Sequence, residues 1–161
     1  MGKKKKKKPV TPEGVKVVGT HRKARFDYHL EDRFEAGMIL KGTEVKSLRD
    51  GKVQFKDAYV TVKDGEAFLV GLHIAPYSHA GEHLNHDPER TRKLLLHKKE
   101  IDRLMGKIRE KGLTLIPITV YFKNGRAKVE IALAKGKRHY DKRATTKERD
   151  AKREIDRAKR N

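Results

Sequence analysis

The stretch "LTLIPITVYFKNGRAKVEIALA" (113–134) constrains this chain more than any other. At its centre Asn124-Gly125 is a strong two-residue hairpin signal, because a type I′ turn requires positive φ at both positions. Closing the loop there pairs Lys123 with Arg126 and sets the register of everything beyond it. Phe122, Val120, Ile118 and Ile116 then face Ala127, Val129, Ile131 and Leu133, one apolar row. Tyr121, Thr119 and Pro117 share the other side with Lys128, Glu130 and Ala132. A slip of one residue would turn the apolar row to water, so the pattern predicts two long strands in this register.

A second hairpin turns at Asp64-Gly65 in "DAYVTVKDGEAFLVG". It pairs Val62 with Ala67 and Val60 with Leu69 on one face, and Thr61 with Phe68 and Tyr59 with Val70 on the other. "RFDYHL" and "GMILKG" read as two shorter strands. "TEVKSLRDG" reads as a helical turn ended by Gly51. In "HKKEIDRLMGKIREKG" the residues Ile101, Leu104, Met105 and Ile108 recur at helical spacing and Gly112 ends the run. The expected fold is therefore mainly β with short helices. It is a small antiparallel β-barrel of oligonucleotide-binding-like type, with basic disordered tails at both ends. The division reads 1–14 as a disordered basic arm, 15–134 as the barrel core and 135–161 as a basic tail.

Charge supports that division. The 161 residues carry +19, yet residues 26–134 hold nineteen basic side chains against sixteen acidic ones. Residues 1–25 hold ten basic and one acidic; residues 135–161 hold twelve and five. The middle is nearly balanced and the ends carry the excess, which points to a polyanionic partner. In the closing "YDKRATTKERDAKREIDRAKRN" the only large aliphatic side chain is Ile155. Thr145 with Glu148 reads as a capping box, and Glu148 to Lys152 and Asp156 to Arg160 as supporting pairs. A stripe of Ala151, Ile155 and Ala158 is too thin to dock. The expectation is a tail mostly disordered when free and helical when bound to something negative.

Other classes find little support. The chain has no cysteine, which suits a reducing compartment. No apolar run approaches the roughly 20 residues of a membrane span, and the six lysines after Met1-Gly2 do not resemble a signal peptide. Lys6 occupies the position where a myristoylation signal wants Ser or Thr. A monomeric, soluble, cytoplasmic protein without membrane contact is expected. "HAGEH" at 79–83, with His86 near it, fits a zinc-hydrolase pattern, but that chemistry needs a helix to put both imidazoles on one face. Gly81, Pro76 and Pro88 oppose a helix, and a polar surface loop between a strand and the next helix is expected instead. No phosphate loop, nucleophile elbow or cysteine nucleophile is present. An enzyme is not expected, nor a metal or cofactor.

Basic residues beside aromatics say more. "HRKARFDYHL" interleaves Arg22, Lys23 and Arg25 with Phe26, Tyr28 and His29, so cations would meet phosphates while rings stack on bases. "GTEVKSLRDGK" sets Lys46, Arg49 and Lys52 around Glu44 and Val45. "DPERTRKLLLHKK" sets Arg90, Arg92, Lys93, Lys98 and Lys99 around Leu94, Leu95 and Leu96. Each alone is more often ordinary solvated surface; three together argue for an extended RNA partner.

At these clusters the chain resembles the small protein B family, the tmRNA-binding proteins of bacterial ribosome rescue. The segments "RKARFDY", "FEAGMILKGTEVKSLRDGK", "DAYVTVKDGEAFLVG", "DPERTRKLLLHKKEID" and "KVEIALAKGKRHYDKR" carry the resemblance, from Lys23 into the tail. It implies an oligonucleotide-binding-like barrel that binds the tRNA-like domain of tmRNA near its elbow and promotes alanine charging by alanyl-tRNA synthetase. With elongation factor Tu and GTP it delivers that RNA to stalled ribosomes for peptide tagging.

By position, the resemblance places Tyr28, Glu35, the segment Lys46–Arg49 and the "RKLLL" segment with Arg92, Lys93 and Leu95 on the RNA face; the basic cluster of Arg22, Lys23 and Arg25 is expected to add cations to it. A carboxylate there can accept hydrogen bonds from base amino groups; burial of Leu95 and an ion pair of Glu35 with Arg33 or a neighbour stand as alternatives. The tail motif falls on Gly136, Lys137, Arg138, Tyr140, Asp141, Lys142 and Arg143, followed by Lys147, Arg149, Lys152 and Arg153. Tyr140 stands where other members carry histidine, which keeps a stacking role and drops a proton-handling one. The family's tail sits in the 16S decoding centre and empty mRNA channel. A structural ribosomal or ribosome-assembly protein, its tails threaded through rRNA, is the alternative.

Overall fold

The structure, a computed structural model, describes residues 13–160. Most of the expected basic arm lies outside them. In chain order the elements are β1 (Val15–Thr20), α1 (Ala24–Asp27), β2 (Tyr28–Met38), α2 (Gly42–Arg49), β3 (Val53–Gln54), β4 (Tyr59–Lys63) and β5 (Glu66–Val70). They continue with β6 (His73–Ile74), β7 (Arg92–Leu95), α3 (Lys98–Lys111), β8 (Thr114–Lys123), β9 (Arg126–Gly136) and α4 (His139–Ala158).

Seven strands join in the order β1-β8-β4-β5-β7-β2-β9, and β9 also pairs with β8. That last pairing makes a ring of six antiparallel strands, with β1 attached to β8 beside β4. The short strands β3 and β6 pair apart from it. Apolar side chains from the ring fill its core, among them Val60, Leu69, Leu94, Leu115, Val120, Val129, Ile131 and Leu133, with Leu48 of α2 and Leu104 of α3.

The hairpin at Asp64-Gly65 has the expected register at every pair from Tyr59↔Val70 to Lys63↔Glu66. The hairpin at Asn124-Gly125 keeps its expected register only as far as Thr119↔Glu130. Both turns hold positive φ at their two central residues. Beyond Thr119 a β-bulge leaves Ile118 unpaired, so Pro117 faces Ile131, Ile116 faces Ala132 and Leu115 faces Leu133. The row expected from Ile116 and Ile118 is thus turned over. These two join Ala24, Ala132 and Ala134 in a second, smaller cluster, while Leu113 and Leu115 enter the main core. Proline has no N–H for the ladder and is confined to edges and bulges, so Pro117 is the signal of this bulge in the sequence.

Two further irregularities break β1 between Val17 and Gly19 and β2 between Leu30 and Arg33. Each bulge bends its strand and raises its twist, which is how a sheet of so few strands curls closed. The two short strands expected over "RFDYHL" and "GMILKG" are instead one strand of 11 residues, Tyr28–Met38, and Arg25–Asp27 belong to α1. Helix α3 matches expectation: Ile101 and Leu104 are buried, Glu100 accepts from the His97 N–H at 3.1 Å, and Gly112 ends it at φ 60°.

The tail departs most from its sequence reading. Residues 139–158 form a helix of 20 residues, its N-cap Arg138 lying seven positions ahead of the expected cap at Thr145. Its start is held by Asp141, whose carboxylate accepts from the Arg138 N–H at 3.2 Å. Thr145 lies inside the helix and donates its hydroxyl to the Asp141 carbonyl at 2.9 Å.

Candidate nucleic-acid interface

The side chain of Leu95 stands on the outer surface of β7, 55% exposed. Its partner across the ladder is Gly37, and a Cβ at that glycine would lie 3.3 Å from Leu95 Cβ. The glycine therefore gives Leu95 room to lie flat over β2. On one side the surface falls away to Glu35, Leu96, His97 and Lys128, on the other to Leu40, Val45 and Arg126. Leu95 is thus a ridge between two shallow depressions, the first lined by both charges and the second by apolar side chains with Arg126 and Lys128.

Glu35, two residues before Gly37 and on the same face of β2, forms no pair with Arg33. Arg33 bonds to Glu130 at 2.9 Å. Glu35 instead accepts the Tyr121 hydroxyl, and Lys123 Nζ lies 3.4 Å from both its oxygens. The Tyr121 hydrogen bond, against a smaller effect of burial and aided by Lys123 and Lys128, holds its carboxyl below the usual glutamate range. Burial and the same bond push Tyr121 well up, so that it stays a donor. The result is a carboxylate fixed in place on a basic surface, able to accept from base amino groups and to repel phosphate.

Helix α2 lies beside this ridge. Ser47 and Leu48 anchor it, Val45 reaches the Leu95 groove, and Lys46 and Arg49 point outward. Lys46 Nζ sits 5.4 Å from the Tyr77 ring centre, a cation held over an aromatic face. What fixes α2 is not visible in the sequence. Glu44, expected among surface charges, is fully buried and bonded to both Arg92 and Arg90. Burial opposes its charge, but hydrogen bonds from Arg92, Arg90 and the Lys41 N–H outweigh it and keep the carboxyl below its ordinary range.

Arg92 is accordingly a correction. The sequence expectation puts it among the RNA-binding cations, but its side chain is fully buried. Its guanidinium bonds to Glu44, to the Leu72 carbonyl at 2.6 Å and to the Pro88 carbonyl at 3.1 Å. Its role is to tie α2 to β7, holding the Lys46–Arg49 segment against the Leu95 ridge. Lys93 remains half-exposed, paired with Glu66 at 2.8 Å.

The remaining candidates gather elsewhere. Tyr28 opens β2 seven positions before Glu35, about 20 Å away at a strand rise of roughly 3.3 Å per residue. It packs on the second cluster, and Arg22, Lys23 and Arg25 are exposed around it. The tail starts here, since Gly136 pairs with Tyr28 at the end of β9. Lys137, Asp141 and Lys142 are half-buried, whereas Arg138, Arg143, Lys147, Arg149, Lys152 and Arg153 are exposed and Tyr140 is 64% exposed. The candidate surface is therefore two patches joined by β2: a mixed-charge ridge at one end and a basic root with its helix at the other.

The histidine segment 79–83 is a loop with one 3-10 turn at Glu82–Leu84, and the next regular element is strand β7, not a helix. His86 is buried with Nε2 on the Ile74 carbonyl at 2.9 Å and Nδ1 on the Thr43 hydroxyl at 2.8 Å. A carbonyl only accepts, so Nε2 carries the proton and both ring nitrogens are engaged. Among the described residues no three ligating side chains gather around one point, and no helix is long and apolar enough to cross a membrane.

Comparison with known proteins places these features in one lineage. The family model described as SmpB protein matches residues 18–161. An SsrA-binding protein of Pelotomaculum thermopropionicum is 60% identical over 144 residues, 89% of this chain and 94% of its own. One of Trichodesmium erythraeum is 53% identical over 146 residues, covering 91% and 94%. A solved chain from work described as "tmRNA-SmpB: a journey to the center of the bacterial ribosome" superposes with a TM-score of 0.63 at 52% identity, over 77% of this chain and 90% of that one. The match runs through the ring, both patches and the tail helix, and the chain belongs to the SmpB family.

Proposed function

We propose that this chain is an RNA-binding adaptor of trans-translation: it binds the tRNA-like domain of tmRNA and delivers that RNA to stalled ribosomes for rescue and peptide tagging. The observation that carries the proposal is the division of charge and burial between a nearly neutral closed ring and a basic helix that buries none of its residues. A folded RNA is gripped by shape and a few specific contacts; a narrow rRNA-lined channel admits a polar, cationic helix. In this reading the ring is an oligonucleotide-binding-type barrel and the chain works in the cytoplasm.

On the ring, the ridge of Leu95 meets the RNA, with Glu35 accepting from base edges and Lys46, Arg49 and Lys93 meeting phosphates. Arg22, Lys23, Arg25 and Tyr28 extend the basic surface toward the tail. The tail, Gly136 onward, enters the decoding centre and the empty mRNA channel of the 16S rRNA side, with Tyr140 stacking and its cations on phosphates. Alanyl-tRNA synthetase and elongation factor Tu with GTP act on the same RNA while the adaptor holds it. The likeness to SsrA-binding proteins over nearly the full chain favours an adaptor over a resident ribosomal protein.

Deleting 136–161 tests the division. Affinity for tmRNA is expected to stay within about threefold while tagging on stalled ribosomes disappears. Loss of tmRNA binding by the truncated chain would sink the proposal.

A further inference from the structure

Between β6 and β7 the chain makes an excursion that carries the histidine segment 79–83. It holds only one short 3-10 turn, yet it is closed and internally bonded. At its base the Ile74 N–H donates to the Pro88 carbonyl at 3.0 Å, and the buried His86 reaches back to the Ile74 carbonyl. Within it the Asn85 side chain brackets Tyr77. Its oxygen accepts the Tyr77 N–H at 2.8 Å, and its nitrogen donates to the Tyr77 carbonyl at 3.0 Å and the Ala80 carbonyl at 3.4 Å. The Ala80 N–H also donates to the Tyr77 carbonyl, at 3.1 Å. Both backbone groups of Tyr77 are thus held, and His79 meets its ring edge-on with 5.4 Å between centres. The result is a compact surface loop with joined ends, packed by its own side chains.

This loop touches α2 twice. Thr43, in the first turn, donates its hydroxyl to His86 Nδ1 at 2.8 Å. Lys46, three residues on and so on the same side of the helix, places Nζ 5.4 Å from the Tyr77 ring centre. Burial of Glu44, Ser47 and Leu48 anchors the helix to the core; the loop adds a grip on an exposed cation. Among the described residues Lys46 is in no ion pair, whereas Lys93, Lys107 and Lys123 each face a carboxylate. A carboxylate orients an ammonium and also offsets its charge. A ring face orients it and leaves its charge and its donors for another anion. A lysine held in this way before it meets RNA has less side-chain freedom to lose on binding.

We infer that the loop 75–86 is a splint for the RNA face, in which Tyr77 is a positioning residue that holds the Lys46 ammonium ready for an RNA phosphate and Asn85 fixes Tyr77. The inference rests on the proposed function for the ligand of Lys46; the placement of the ring under the lysine is a property of the free protein.

Two measurements on the full chain test it. In the NMR spectrum of the free protein, the Lys46 methylene protons next to Nζ are expected to be shielded by the ring. Tyr77→Phe should keep that shielding and Tyr77→Leu should remove it. Asn85→Ala, which frees the Tyr77 backbone, should reduce it. In tmRNA binding, Tyr77→Leu is expected to weaken affinity about two- to fivefold, the size of an exposed cation–π contact, and Tyr77→Phe to leave it unchanged. The same Tyr77→Leu change made in a Lys46→Ala chain is expected to have no further effect, because the ring then has no cation to hold. A general weakening of the loop would cost affinity in both backgrounds. Lack of shielding in the unaltered chain overturns the splint. So does a Tyr77→Leu loss that persists without Lys46, or a Tyr77→Phe loss as large as that of Tyr77→Leu. If the unaltered chain shows the shielding and fails to bind tmRNA, the proposed function falls and the splint's purpose with it, while the placement of the ring stands.

Discussion

In the core that the ring encloses, Leu69, Leu72, Leu104, Ile131 and Leu133 have no exposed surface; in α4 no residue is buried and Ile155 is 54% exposed. Both regions are regular structure in one chain, but different forces hold them. The ring draws on apolar burial, which salt leaves largely untouched. The tail draws on a capped start, a few hydrogen bonds at its root and exposed charged neighbours, and salt screens the charge contacts. The difference teaches that apolar packing does not hold the tail on the ring: beyond its root the helix keeps its cations facing outward.

Three perturbations sharpen or break that contrast. The largest effect is expected in the ring at Glu44. Glu44→Ala strands the buried Arg92 guanidinium and should lower stability by about 3–5 kcal/mol, read from urea unfolding. A milder form uses pH. The folded-state carboxyl of Glu44 lies below the ordinary 4.5, so the unfolded chain takes up a proton first as pH falls. The stabilisation is complete above about 4.5 and disappears as pH drops through the lower folded value. Glu44→Gln should flatten that acid limb; an unchanged limb would mean the ion pair contributes nothing.

Next comes the exposed face of the ring. Lys46→Ala with Arg49→Ala should weaken tmRNA binding several-fold and reduce its salt slope by about 0.9 for each duplex phosphate no longer neutralised. The chain truncated at 136 should keep the full slope for tmRNA. If truncation lowers the slope and the double variant does not, the two regions have exchanged roles. The smallest effect belongs to the tail: Ile155→Ala should change thermal stability by no more than about 0.5 kcal/mol, as for an ordinary surface substitution. A larger effect would place Ile155 against something in the folded protein.

Much of this is legible in the residues. The two hairpin turns, the whole register at Asp64-Gly65, helix α3 with its glycine stop and the helical turn ending at Gly51 all follow from local chemistry. So does the separation of a balanced middle from basic ends, and the segments that carry the family resemblance. Turn geometry, side-chain period and net charge depend only on near neighbours in the chain, and a sequence states those directly.

What only the tertiary structure decided depends on neighbours far apart in the chain. Pro117 marks a bulge in the sequence, but only the pairing of β8 with β4 and β9 shows that Ile118 is the residue left out and that the faces of Ile116 and Leu115 are reversed. Arg92 looks like any other cation in "ERTRK" until folding brings Glu44 beneath it, 48 positions away. The tail has nothing in its own protein to hold until α1 forms under Lys137, over a hundred positions upstream. In the last two cases groups that look solvated along the chain become partners once the ring closes, because closure alone settles which surfaces meet and which charges lose their water.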